Sequence, residues 1–188
     1  MKKQLFTTLL LSTLTLPVCA QGIYVFADFE RNKVEHDVYD FSISQSNNGY
    51  GLGLGYTLTN HFALEVAYRD ELFSFDVVEI SEDYEYRETT ELSAIQASVV
   101  ASYPLNDAVS VYGRLGVGKI EVDTSSYEND WGDITRESES ESETKALFGI
   151  GGRYAITEQF GVRAEYSRFA EIEDTTISSL SLAVDYHF

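Results

Sequence analysis

Residues 178–188 read SSLSLAVDYHF. Ser178, Leu180, Leu182, Val184, Tyr186 and Phe188 fall on one parity, and Ser179, Ser181, Ala183, Asp185 and His187 on the other. Successive side chains of a strand point to opposite faces, so this is a strand with one apolar and one polar face. A strand that ends on an exposed Phe brings little to a water-soluble domain. In a transmembrane β-barrel it serves a purpose, because the last strand pairs with the first and its outer face meets lipid. The signal of a single barrel strand is weak, so the rest of the chain has to repeat it.

It does, seven times. Alternating segments cover Gly22–Phe29, Gly49–Leu58, Phe62 to about Asp70, about Ser93–Tyr103, Ala108–Ile120, about Lys145–Ile156 and Phe160–Phe169. In the second, Tyr50, Leu52, Leu54, Tyr56 and Leu58 alternate with Gly49, Gly51, Gly53 and Gly55, and a glycine row on one face predicts a crowded interior. Three connections are short: 59–61, 104–107 and 157–159. The other four are expected as long loops, at 30–48, after Asp70 to Glu91, at 121–144 and, more modestly, at 170–176. Eight strands of about 10 residues with alternating long and short connections put every long loop on one rim. The expected fold is therefore all-β, an eight-stranded antiparallel up-and-down transmembrane β-barrel. Tyr56, Phe62, Tyr103, Tyr154, Phe160, Tyr186 and Phe188 lie beside the short turns, where an interfacial aromatic belt belongs. A soluble barrel with its apolar face turned inward is the alternative. The opposite parity, rich in Arg, Glu, Ser and Gly, suits a packed polar lumen better than a solvent coat.

Residues 1–20 read as a cleaved secretory leader. Lys2 and Lys3 precede an apolar stretch from Leu5 to Leu16 and the small-residue end Pro17-Val18-Cys19-Ala20. A lipoprotein anchored at Cys19 is the rival, but Val18 is a poor residue before such a cysteine. Residues 21–188 would form the barrel, with no cysteine left for disulfide or thiol chemistry. No later run approaches the roughly 18 apolar residues of a membrane helix. Without Lys2 and Lys3, eleven basic residues face 31 acids, a charge of −20, which disfavours nucleic acid as a partner.

On the inward parity, Asp28, Glu65, Glu165 and Asp185 face Arg69, Arg114, Arg153 and Arg163. Buried charges need partners, and arginine offers planar bidentate donors to carboxylates. An eight-stranded barrel is only wide enough for side chains to fill, so this set reads first as core packing. A narrow pore with rearranging salt bridges is the second reading.

Glu65 within FALEVAY, the segment YPLNDAVSVYGRLGVG and the segment GIGGRYAITEQFGVRAEYSRF resemble the transmembrane domain of the outer membrane protein A family over nearly all the expected barrel. Leu182, Val184, Tyr186 and Phe188 resemble the terminal signature of bacterial outer-membrane barrels, which the barrel assembly machinery reads. Short barrels of the outer membrane protein X and attachment-invasion group are similar as well. The resemblance implies a bacterial outer-membrane location, contact with outer-membrane lipid and lipopolysaccharide, and a lumen salt-bridge network containing Glu65 and Arg163. Two positions depart from the family pattern, Val100 in place of a lysine and Arg153 in place of a glutamate, so Arg153 is expected to share Glu65 or Glu165 with Arg163. No peptidoglycan-binding domain follows Phe188, and that family role is not carried over.

The stretches 70–91 and 121–145 hold nine acids each, with Ser-Glu alternation from Glu137 to Glu143. They read first as a solvated rim. Divalent cations shared with lipopolysaccharide phosphates, or a basic protein surface, are the candidate partners of these loops. No fixed metal-ligand spacing is present, and no cofactor is expected. His36, His61 and His187 lack a nucleophile motif, so no catalytic residue is assigned and an enzyme is not expected. The sequence thus supports a structural or surface-interaction protein, with a low-conductance porin-like channel as the alternative and a lipid-modifying enzyme third.

Overall fold

The computed structural model describes the backbone of residues 22–38, 41–81, 84–130, 133–170 and 175–188; the expected leader and the side chains of 36–44, 73, 75–76, 79–85, 129–134 and 171–175 lie outside the description. Eight strands follow in order: β1 Ile23–Val38, β2 Phe41–Thr59, β3 Phe62–Ser81, β4 Tyr84–Pro104, β5 Val109–Asp130, β6 Asp133–Ala155, β7 Phe160–Phe169 and β8 Thr175–His187. Each pairs antiparallel with its neighbour, and β8 closes on β1 through a register running from Tyr24↔His187 to His36↔Thr175. The sheet has no edge at membrane level, which is what a β structure in lipid requires.

The two parities separate cleanly. Leu52, Leu54, Val66, Ile95, Leu115, Ile150, Leu180, Leu182 and Val184 all face outward and are exposed, Ile150 by 67% and Leu182 by 66%. An apolar surface this continuous is far larger than the patches that water-soluble monomers tolerate. It is the lipid face, bordered at the short turns by Phe160, Tyr186 and Phe188, whose rings meet at 4.8 and 5.0 Å.

Inside, the glycine row of β2 makes room for β1. A Cβ on Gly53 would fall 2.2 Å from the Phe26 ring, and one on Gly55 2.0 Å from the Tyr24 ring. The aromatic rings of one strand lie flat against the bare backbone of the next.

The expected long loops are corrected by the structure. β1–β2, β3–β4 and β5–β6 continue as paired ladders to Val38/Phe41, Ser81/Tyr84 and Asp130/Asp133, leaving two residues between the strands of each hairpin. The segments 30–48, 70–91 and 121–144 are therefore mostly strand. A membrane crossing needs about 9–11 residues, and β6 has 23. The excess projects beyond the lipid, where neither face needs to be apolar, so the alternation fades while the hydrogen-bonded ladder goes on. β7, with 10 residues, and β8, with 13, stop short, so the long-hairpin rim is lopsided. On β3 the register shifts between Arg69 and Phe73, where Glu71 adopts φ 53° and Leu72 turns inward.

Candidate functional site: a layered lumen

The inward side chains form successive layers along the barrel axis. Nearest the short turns, Arg153 Nη2 lies 2.6 Å from Asp185 Oδ2, and its Nε donates to both carboxylate oxygens at 3.0 Å. His187 Nε2 sits 3.0 Å from Asp185 Oδ2, and its ring stacks on Tyr24 at 4.6 Å. Arg153 is thus held by Asp185, not by Glu65 or Glu165 as expected. It stands within three residues of the β6–β7 turn, level with the end of β8 and short of the central layer.

The next layer is the centre of the molecule. Tyr24 donates its hydroxyl to Glu65 Oε1 at 2.6 Å. Glu65 also takes Arg163 Nη1 at 2.9 Å and Arg114 Nη1 at 2.7 Å. Arg114 grips Glu165 with two nitrogens, Nε to Oε1 at 2.8 Å and Nη2 to Oε2 at 3.0 Å, and donates Nη1 to Ser98 at 2.8 Å. The Arg163 guanidinium lies between the rings of Phe26 and Tyr112, at 4.9 and 5.0 Å from their centroids. Two carboxylates and two guanidinium groups, all buried, satisfy one another with charge-assisted bonds. β3, β5 and β7 supply them, and Gly149 leaves space for Glu165 and Arg114, as Gly51 does for Asp28 and Arg69 and Gly161 for Arg153 in the neighbouring layers.

Above this, Arg69 bridges Asp28 and Glu30, and Asn32 accepts from Ser179 at 2.5 Å. Asn32 Nδ2 and Arg69 Nε are buried here without a hydrogen-bond partner among the described residues. A final layer is apolar. Leu72, Ala94, Ile120, Leu147, Phe169 and Ile177 come from six consecutive strands, each no more than 3% exposed, and Val34 of β1 packs against them. This ring closes the lumen at the long-hairpin end. At the other end a cavity of about 290 Å³ enters between the short turns, past His61, Asn106 and His187, and reaches inward to Glu65 and Arg163. The lining of this vestibule includes no residue of the apolar ring.

All eight charged residues singled out from the sequence face the lumen. Asp185 with Arg153, Asp28 with Arg69, and Glu65 and Glu165 with Arg114 and Arg163 form three separate groups rather than one. Leu182, Val184 and Phe188 point outward at the end of β8 and Tyr186 is half-buried against Phe160. Glu30 was missed. It shares parity with Asp28, and extending the first strand by one residue would have found it. The apolar ring was missed because Leu72 and Ile177 lie outside the alternating segments, and Ala94, Ile120, Leu147 and Phe169 lie within three residues of a segment's end. His61 is exposed in a turn, and the side chain of His36 lies outside the described residues.

Comparison with known proteins gives a consistent result. The family model "Outer membrane protein beta-barrel domain" matches residues 6–188. The attachment invasion locus protein of Yersinia pseudotuberculosis is 24% identical over 194 residues, covering 96% of this chain and 97% of the relative. Outer membrane protein A of Shigella dysenteriae is 34% identical over 103 residues, covering 50% of this chain but only 28% of that longer protein. Among solved structures, the attachment invasion locus protein of Yersinia pestis, determined with the heparin analogue sucrose octasulfate, superposes with TM-score 0.63 at 20% identity, covering 89% of this chain and 99% of that one. Neisserial surface protein A superposes with TM-score 0.55 at 18% identity, covering 89% and 98%. At these identities the structural likeness speaks for the fold.

Proposed function

Because the chain belongs to the outer membrane protein beta-barrel domain family and is a bacterial outer-membrane protein, we propose that it is a non-conducting barrel. Its work is to present rigid acidic hairpins at the cell surface. The observation that supports this reading is the packed lumen: among the described residues, the Glu65–Arg114–Glu165–Arg163 layer and the apolar ring of Leu72, Ala94, Ile120, Leu147, Phe169 and Ile177 stand between the vestibule and the long hairpins. In this reading the short turns and the vestibule face the periplasm and the long hairpins face outward. A leader over 1–20 is removed on export, and the outward row Leu182, Val184, Tyr186 and Phe188 engages the assembly machinery.

Planar-bilayer recording on the refolded 21–188 chain tests the proposal, with silence as the expected result. Steady small openings in the unmodified chain would instead put the porin-like reading first.

Lipopolysaccharide contact has a specific candidate. In the registers, Lys33 and Arg168 both pair with Ser178, from opposite sides, and Arg31 is two residues from Lys33 on the same outward face. All three are exposed where the apolar belt gives way to the hairpins. A trio of cations at that level suits lipid phosphates. Replacing all three with serine should reduce lipopolysaccharide co-purification; unchanged retention would remove the assignment.

The partner of the hairpins is the remaining question. The Yersinia pestis neighbour was solved with a polyanion, whereas the hairpins here are acidic and would repel one. The charge calls for a basic protein surface.

A further inference from the structure

We propose that the vestibule at the short-turn end is a binding site for a small monocarboxylic acid. Arg153 and Ser110 hold its carboxylate, and its short aliphatic tail lies on Ala63, Val100 and the Tyr112 ring. The site stands at the opposite end of the barrel from the acidic hairpins and gives the protein a second role, independent of theirs.

One wall of the cavity carries two cations side by side. Ser110 pairs with Arg153 across β5 and β6, and Arg153 pairs with Arg163 across β6 and β7. All three residues line the vestibule. Like charges directly opposite one another on paired strands are unfavourable, so this row calls for anions. Arg163 has its anion in Glu65, whose oxygens also accept from Tyr24 and Arg114. Arg153 is only half provided for. Asp185 takes its Nε and Nη2, while Nη1 has no partner among the described residues and the side chain is 24% exposed. Arginine presents its donors as a planar fork that suits a carboxylate. Asp185, fully buried and held by His187 as well, is the positioning residue that fixes this fork in place.

Further in, the lining turns apolar. Tyr112 and Arg114 follow Ser110 along the inner face of β5, and Val100 pairs with Arg114. Val100 is buried, and Ala63 packs against the cluster of Tyr24, Phe26 and Ala67. The polar donors therefore lie toward the mouth and the hydrocarbon lies deeper, the order in which a short fatty acid would enter head last.

Size and charge narrow the guest. A cavity of about 290 Å³ stands at the lower end of small-molecule sites, which span roughly 300–1,000 Å³. An ammonium group would meet Arg153 and Arg163. A dianion would bring more charge than Arg153 can balance beside the carboxylates of Asp185 and Glu65.

The test titrates sodium butyrate into the refolded 21–188 chain in phospholipid nanodiscs, with butylamine hydrochloride and sodium sulfate as comparisons. NMR should show saturable shifts with butyrate at the Arg153 side-chain Nε–H and at the Ser110 and Val100 amides. The affinity should be millimolar, as a ligand this small can reach. Butylamine should produce no such shifts, and sulfate should bind at least tenfold more weakly than butyrate. Arg153→Gln should abolish the response. Val100→Met fills the apolar end with an adaptable side chain, leaves Arg153 and Asp185 in place, and should weaken butyrate binding several-fold. Absence of saturation with butyrate, or binding of butylamine at these residues, would overturn the site. Equal binding of sulfate with no effect of Val100→Met would reduce it to general charge attraction and overturn it too. Each of these results would leave the hairpin-presenting, non-conducting reading as it stands.

Discussion

Glu65 and Arg163 are 98 residues apart in sequence, and Arg163 Nη1 lies 2.9 Å from Glu65 Oε1. They stand on β3 and β7, with three strands between them on either side, so the bond spans the lumen from wall to wall. Arg114 of β5 joins the same carboxylate at 2.7 Å. A single carboxylate therefore links three strands that never pair with one another.

Removing it should be costly. Glu65→Ala leaves two buried guanidinium groups short of a partner, and breaking a buried pair from one side typically costs about 3–5 kcal/mol. Urea unfolding in detergent micelles should register this loss. Adding Arg163→Ala should cost less than the sum of the two single changes, because the second deletion removes a charge the first had stranded.

Loss of Glu65 should not by itself create a channel. The apolar ring lies in series with the charged layers and is untouched by that change. We expect Glu65→Ala to remain electrically silent in planar bilayers, as should Leu147→Ala with Phe169→Ala. Openings are expected only when the two sets of changes are combined. A conducting Glu65→Ala single variant would contradict the arrangement.

The glycine row makes a packing prediction. Ala at Gly53 or Gly55 would put a methyl group into the Phe26 or Tyr24 ring. Overpacking of this kind costs roughly 1–3 kcal/mol. The same substitution at Gly113, where an added Cβ would meet nothing nearer than 3.9 Å, should be close to neutral. Comparing the three unfolding midpoints checks the contrast.

A tightly tied barrel should also resist detergent. Unboiled and boiled samples should migrate differently on a gel in mild detergent, and identical mobility would argue against the closed barrel. Leu182→Arg, on the lipid face, should destabilise by about 2–4 kcal/mol if it lies near mid-membrane and should narrow the temperature range over which the two forms stay distinct.

Much of this architecture is legible in the amino-acid sequence. Leu180, Leu182 and Val184 against Ser181 and Asp185 carry the period of two, and the inward arginines and carboxylates follow from parity. Parity places a side chain on a face but does not set how far along the axis it lies relative to strands outside its own hairpin. The sequence therefore could not pair Arg153 with Asp185, or split the charges into three tiers. The hairpins were hidden for another reason. Hydrophobic alternation reports a boundary between two media, and beyond the membrane both faces of β5 and β6 meet water. The ladder from Val122↔Glu141 to Glu128↔Thr135 leaves no such trace.

The closure of β8 on β1 has a consequence for how the protein comes to exist. The first and last strands are mutual partners over thirteen residue pairs, from Tyr24↔His187 to His36↔Thr175. A chain cut short anywhere before β8 would hold two unsatisfied backbone edges, which lipid cannot solvate. Neighbouring hairpins can zip up as they emerge, but the most distant contacts are the ones that complete the wall, and they are slow to find each other. Insertion is therefore all or nothing: a truncated or stalled copy has no stable half to leave behind in the membrane and stays available to proteases.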